Sequence, residues 1–332
     1  VCIRVLYLIE AIMAQRKRNG KGNGQTQTIE RRARTTPHLE SEHLDQPKRL
    51  RVLKTYKIYI GGKFPRTESG RYYLLKNSSG EGLANVCLSS RKDFREAVVA
   101  ARSAQSKWAG ASAYNRGQIL YRIAEMLEGR SQQFVSELIE QGADPSEAQN
   151  EVALSIDRVL YYAGWSDKYQ QVFSSVNPVA SSHFNFSILE PTGVVSIIAP
   201  EETGLLGLIS TIAPTIVGGN TCIALASESK PLSAVTLAEV LATSDLPGGV
   251  VNLLTGTRKE LVEHFANHMD VNATIYCGND SKEIETVRTK ASLNVKRAIV
   301  IDRKNWIDAS AQSPYFILDT QEVKTTWHPV GI

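Results

Sequence analysis

The chain has 332 residues and a formal net charge of +4, from 38 Lys and Arg against 34 Asp and Glu. Residues 1–57 hold 13 basic and 5 acidic side chains, a net +8, so the remainder carries −4, which excludes a basic nucleic-acid-binding core. The composition, 42% hydrophobic and 22% charged, is that of a soluble globular protein, and four scattered cysteines without CxxC spacing exclude a disulfide scaffold and suit a reducing cytosol.

The opening VCIRVLYLIEAIM is apolar but carries Arg4 and Glu10. It is shorter than the roughly 18–20 residues of a membrane span and lacks the charge placement of a secretory signal. A first residue that is Val suggests a non-AUG start or a misplaced gene start, with Met13 as a candidate true start that N-terminal sequencing of the natural protein would check. Residues 14–57 are rich in Arg, Lys, Gln, Thr and Gly, and GKGNGQTQT cannot build a core. Residues 1–55 therefore read as a disordered basic tail. Its clusters QRKR, RRAR and KRLR read as solvated charge rather than as a site for RNA or an acidic partner.

Order is expected from residue 56 to 332. KIYIGGKF predicts strand, Gly61–Gly62 turn, strand, and GLANVCLSS another short strand. Ser90 caps a helix with Phe94, Ala97, Val98, Ala101, Ala104 and Trp108 on one face. A second helix follows Ser112, with Ile119, Leu120, Ile123, Ala124 and Leu127 inward and Gly129 near its end. A third covers Gln133 to Gln141, and a fourth starts at Asp144–Pro145 and runs toward Phe173. These make a helical part over 90–175.

Beyond it the rhythm changes. SSHFNFSILEP predicts an extended, exposed strand. GVVSIIAP, NTCIALA, GVVNLLTG, NATIYC and VKRAIVI are near-continuous apolar strands separated by helical segments. That alternation predicts a Rossmann-like parallel sheet over 190–305 with helices on both faces, an α/β fold. Its ligand crevice falls at the carboxyl ends of the strands, at Ala199–Pro200, Ala226–Glu228, Thr255–Gly256 and Cys277–Gly278. The closing YFILDTQEVKTTWHPVGI predicts a short strand and tail.

These segments resemble the aldehyde dehydrogenase superfamily. YIGGKF, EPTGVVSIIAP, APTIVGGNTCIALASE, DLPGGVVNLLTG and HMDVNATIYCGND follow in that family's order over roughly residues 56–300. No G-x-G-x-x-G fingerprint is involved. The resemblance implies a cofactor-binding domain with its helical N-terminal region. It also implies a chemistry in which a cysteine thiolate attacks the aldehyde, donors hold the oxyanion, hydride passes to NAD(P), and a glutamate activates water.

Carried over residue by residue, the catalytic parts of that resemblance fail. The oxyanion-hole asparagine after the family's Pro-Trp falls on Glu202, after Pro200 and Glu201, and an ionised carboxylate donates no hydrogen bond. The ribose-contacting lysine falls on Leu225, whereas the glutamate that follows it matches Glu228. The serine after the family's Phe-Thr-Gly falls on Asn279. The Glu-Leu-Gly-Gly general base falls on the run Ile301, Asp302, Arg303, Lys304, and no cysteine follows it.

The expected cofactor-binding residues are therefore Ala199, Pro200, Glu228, Gly256 and Gly278, with no catalytic residue and with NAD or NADP binding weak or lost. The expected function is an inactive family member, short of the catalytic domain, that forms a homo-oligomer or pairs with a full-length aldehyde dehydrogenase through the exposed SSHFNFSILEP edge. A stand-alone nucleotide-binding module and an enzyme using a site outside the family pattern are the alternatives. The chain is expected in the cytoplasm, with no membrane partner.

Other constellations are less telling. Cys277 lies at a strand end near the crevice but has no base beside it in sequence, so it reads as packing; Cys222 lies within a core strand. His264 and His268 stand four apart but lack the zinc-protease order, so metal ligation is not expected. Glu201 and Glu202 read as carboxylates favoured near a helix N-terminus, and both would repel a pyrophosphate.

Overall fold

The computed structural model describes residues 52–302 and 305–331. The expected tail, the Met13 start, Arg303 and Lys304 fall wholly or mainly outside them. Chain order begins with β1 (Thr55–Tyr56), β2 (Tyr72–Lys76) and β3 (Gly82–Cys87). The helices α1 (Arg91–Ala109), α2 (Ala113–Glu128), α3 (Ser131–Glu140), α4 (Pro145–Trp165) and α5 (Tyr169–Phe173) follow, then β4 (Ser175–Asn177) and β5 (His183–Pro191). Next come β6 (Val194–Ile198), α6 (Leu206–Val217), β7 (Thr221–Leu225), α7 (Leu232–Ala242), β8 (Val251–Leu254), α8 (Arg258–Asn267), β9 (Ala273–Cys277), α9 (Ser281–Ser292) and β10 (Arg297–Ile301). The last elements are α10 (Tyr315–Leu318) and β11 (Gln321–Pro329).

The five apolar strands form one fully parallel sheet in the order β10-β9-β6-β7-β8. Strand side chains alternate between two faces, and each face has its own core. Val195, Ile197, Cys222, Ala224, Leu253 and Ile275 pack with residues of α2, α3, α4, α6 and α7. Val194, Ile198, Ile223, Leu225 and Tyr276 pack with Phe94, Ala97, Val98 and Ala101 of α1 and with α8. The helices of residues 90–175 are therefore divided between the two faces, with α1 opposite α2–α4.

Local signals explain the helix starts. Ser90 accepts from the Lys92 amide at 3.3 Å, while Asp93 accepts from the Ser90 amide at 2.7 Å, a reciprocal cap for α1. Ser112 and Asp144 cap α2 and α4. The fourth helix stops at Trp165 instead of running toward Phe173: the amides of Ser166 and Lys168 donate three residues back, to Ala163 and Trp165, which closes the α ladder in a turn before α5.

Two expected strand arrangements are different in the structure. KIYIGGKF forms only isolated bridges. Ile60 and Lys63 pair across Gly61 and Gly62, both at positive φ as a two-residue reversal requires. Tyr59 pairs with Leu253 and covers part of the β8 edge. SSHFNFSILEP is not an exposed edge: β5 is the middle strand of the sheet β11-β5-β4, paired over its whole length with β11, from Pro191↔Gln321 to His183↔Pro329. The closing segment thus contributes a nine-residue strand. Among the described residues no helix is long and apolar enough to cross a membrane.

Two buried charges tie elements together. Arg158 of α4 is 2% exposed, and its guanidinium donates to Ser210 Oγ (2.6 Å), the Ala311 carbonyl (2.7 Å), the Trp306 carbonyl (3.1 Å) and Gln312 Oε1 (3.1 Å), all neutral acceptors. Glu137 of α3 is buried; its Oε1 accepts from Thr236 at 2.6 Å, and its Oε2 has no partner. Burial raises the Glu137 pKa above the ordinary 4.5, against the lowering effect of its hydrogen bonds to Thr236 and Gln133. A carboxyl raised on folding adds stability that is full below its unfolded value and is lost as pH rises through the folded one. Wild-type stability relative to Glu137→Gln should therefore fall progressively as pH is raised above about 4.5. Urea midpoints of both proteins across that range check this; parallel curves would disprove it.

Candidate functional site

In a doubly wound sheet the ligand crevice lies outside the carboxyl ends of the strands, where strand order reverses. Here β7 and β8 extend to one side of β6, and β9 and β10 to the other. The switch point is the gap between the carboxyl ends of β6 and β9, at Ala199 and Cys277. Ala199 and Pro200 follow β6, Glu228 lies beyond β7, Gly256 beyond β8 and Gly278 follows β9, all on the carboxyl side of the sheet.

The side chain of Arg258 spans this gap. It stands at the first position of α8 and is only 14% exposed. Its Nη2 donates to the carbonyls of Ala199 and, at 3.1 Å, Cys277, so it bridges the ends of β6 and β9. Its Nε donates to Glu201 Oε1 at 3.0 Å, and its Nη1 lies 3.8 Å from Glu283 Oε2, which also accepts from Tyr276 Oη at 2.7 Å. A Cβ on Gly278 would meet Nη1 at 2.9 Å, so glycine there leaves room for the guanidinium.

Glu201 meets Arg258 from the other side. Its carboxylate accepts from Ser227 Oγ at 2.8 Å, from the Glu228 amide at 3.0 Å and from the Ser229 amide at 3.3 Å. Consecutive backbone amides of this kind make an anion cradle, and the anion in it is the chain's own. Glu228 contributes its amide to that cradle, while its Oε2 accepts from the Arg258 amide at 3.4 Å.

The expected role of Glu201 at a helix start is corrected, because α6 begins only at Leu206. The carboxylate serving that N-terminus is Glu151 of α4, which accepts from the Leu205 and Leu206 amides at 2.8 and 3.1 Å. The N-terminus of α7 is similarly served by Gln141 Oε1, which accepts from the Leu232 amide at 3.0 Å.

Between Pro200, Cys277, Gly278, Ile301 and Trp306 remains a cavity of about 20 Å³, room for about one water, whereas small-molecule pockets run to about 300 Å³ or more. Cys277 is 1% exposed, and burial pushes its thiol up to about 12, with the nearby Arg258 acting the other way. A protonated, enclosed thiol is a poor nucleophile. Burial also raises Cys222.

Sequence reasoning missed Arg258, Glu151 and Ser227. The first had a signal: adjacent glutamates at the end of one strand call for a cation, and Thr-Gly-Thr-Arg places one just past the end of another. Glu151 had none, since it arrives through the packing of α4 on α6.

The sheet order and its switch point define a Rossmann-like α/β unit. The model of the aldehyde dehydrogenase family matches residues 64–320, and the chain belongs to that family. It is 30% identical over 276 residues to DhaS of Bacillus subtilis (strain 168), a provisionally named aldehyde dehydrogenase, covering 81% of this chain and 53% of the relative. It is 29% identical over 256 residues to the cytosolic 10-formyltetrahydrofolate dehydrogenase of Mus musculus, covering 75% of this chain and 28% of that one. Among solved structures, HpcC of Thermus thermophilus superposes with a TM-score of 0.71 at 26% identity, over 74% of this chain and 48% of the other. The NAD+ complex of a Bacillus cereus aldehyde dehydrogenase shares the fold at TM-score 0.71 and 24% identity, over 75% and 51%. The chain thus spans about half the length of DhaS and of these solved chains.

Two outcomes are expected. Arg258→Met removes the donor from two strand-end carbonyls and the cation from Glu201, and should lower unfolding free energy by about 2–4 kcal/mol, read from the urea midpoint. A change within experimental error would show that the bridge carries no stability. Cys277 should resist alkylation in the native chain and react once the chain is unfolded, as followed by mass spectrometry; rapid native labelling would contradict its enclosure.

Proposed function

We propose that this chain is a non-catalytic aldehyde dehydrogenase family protein whose cofactor crevice is closed by its own side chains, and that it acts as a subunit pairing with or regulating a full-length aldehyde dehydrogenase. One observation carries the reading: Arg258 and Glu201 join across the switch point, with the carboxylate in the amide cradle of residues 228–229. Binding a dinucleotide there would require breaking an ion pair whose arginine is mostly buried and displacing a carboxylate from its donors, so NAD or NADP binds weakly or not at all. The residues that would otherwise face it are Ala199, Pro200, Glu228, Gly256 and Gly278. The family activity, NAD(P)-dependent oxidation of aldehydes to acids, then belongs to the partner.

The sheet β4-β5-β11 supports the pairing. Its outer strand β11 exposes Val323 and Trp327, and β5 exposes Phe184. A sheet edge with apolar side chains invites a further strand. The free, buried cysteines 87, 222 and 277 are in keeping with a reducing compartment such as the cytoplasm.

Calorimetric titration of the purified chain with NAD and with NADP tests the closure. The wild type should give no saturable heat, and the double variant Glu201→Ser, Arg258→Gly should gain binding to at least one of them. Tight binding by the wild type would instead favour the stand-alone nucleotide-binding module. Sedimentation of the chain with a full-length aldehyde dehydrogenase from the same source tests the pairing, and a chain that sediments alone argues against it.

A further inference from the structure

A second concentration of charge lies away from the switch point. Between the first turns of α1 and the C-terminal half of α8 runs a groove of about 450 Å³, lined by Arg91, Arg95, Glu263, His264 and His268, with the buried Phe94 among its lining residues. Arg91 and Arg95 are four apart on one helix and lie on the same side of it. Both are exposed, and among the described residues neither makes an ion pair. The carboxylate in the lining, Glu263, is held by Lys290 of α9 at 2.7 Å.

The histidines add donors. Nδ1 of His268 accepts from the Asp270 amide at 3.3 Å, which leaves its Nε2 protonated and free to donate. The ring stands edge-on to Phe94, 5.7 Å between centroids. Burial lowers the pKa of His264, assisted by Arg91 and opposed by Glu263. Burial likewise lowers that of His268, assisted by Lys296, Arg91 and Arg95 and opposed by Asp270. Counting Lys290, four cations face two carboxylates around the two rings. Like charges at this spacing destabilise a helix, and they would repel a metal cation from the histidine pair.

We infer that this groove is a binding site for a phosphoryl dianion, held by the guanidinium groups of Arg91 and Arg95 and by the imidazoles of His264 and His268. Two guanidinium forks on successive turns match a tetrahedral dianion, which a single carboxylate would only half satisfy. The groove volume admits the phosphoryl group with a small organic remainder, so inorganic phosphate and a phosphate monoester share the chemistry. The site is separate from the switch point and stands whether or not a dinucleotide binds there. Because an anion favours the charged imidazole, and among the described residues His264 makes no accepting bond like that of His268, binding should strengthen as pH falls through the range of His264.

The test is a histidine-resolved NMR titration of the full chain with inorganic phosphate, with glycerol phosphate as the ester and with chloride at matched ionic strength. Saturable shifts of the His264 and His268 ring signals are expected with phosphate, with a raised His264 pKa and no such response to chloride. Stronger binding of glycerol phosphate would assign the site to an ester, and equal or weaker binding to the free ion. Arg91→Gln and Arg95→Gln should each weaken binding roughly tenfold. Both residues are exposed, so the fold should persist, and Arg288→Gln, an exposed arginine on α9, should leave binding unchanged. Linear, unsaturable shifts, an equal response to chloride, or recognition of an acidic peptide in place of phosphate would overturn the inference.

Discussion

A guanidinium taken out of water at the end of a parallel sheet needs acceptors on several sides at once, and the geometry of this crevice follows from that need. The acceptors of Arg258 come from the ends of two adjacent strands and from Glu201, with Glu283 on α9 nearby. None of them is its sequence neighbour, so the side chain ties together elements distant in the chain. Glu201 in turn orders the loop after β7 through three donors. Attraction between such charges is weak in water and grows as they are enclosed. The enclosure of Arg258 and the strength of its contact with Glu201 therefore reinforce each other.

Arg158 solves the same problem without a counter-ion. Its four neutral acceptors spread the charge over the segment 306–312 and over α6. A buried pair brings two desolvation costs and one strong attraction. A lone buried cation brings one cost, and its hydrogen bonds fix the backbone that supplies them. The segment 305–314 before α10, whose regular structure is one helical turn at Ala309–Ala311, is positioned against α4 in this way.

The five parallel strands, their order along the chain and the position of their carboxyl ends were legible because fully buried strands are continuous apolar runs and helices interrupt them at regular intervals. Helix starts were legible because Ser90, Ser112 and Asp144 act within a few residues of themselves. The pairing of β5 was not legible, since its partner lies beyond the whole parallel sheet in sequence and alternation alone does not name a partner. The end of α4 was missed because the Ser166–Lys168 turn carries no proline or other strong breaker. At the candidate site the strand ends were legible and their occupants were not: Glu201 reads as a carboxylate near a helix start, Arg258 only as part of a helical segment, and only the fold brings them into contact.

The pairing of β5 with β11 has a consequence for how the chain folds. Pro191 and Gln321 are partners, so residues 192–320 form a domain-sized loop whose stem is one antiparallel pair. The stem gains stability only after that long loop is closed, and the entropy of closure must be met before the contacts repay it. The parallel sheet thus acts as the template that brings its own ends together, and the β4-β5-β11 sheet should be the late-forming part of the molecule. The two ends of this long segment are therefore neighbours in space, held together at the Pro191–Gln321 pair.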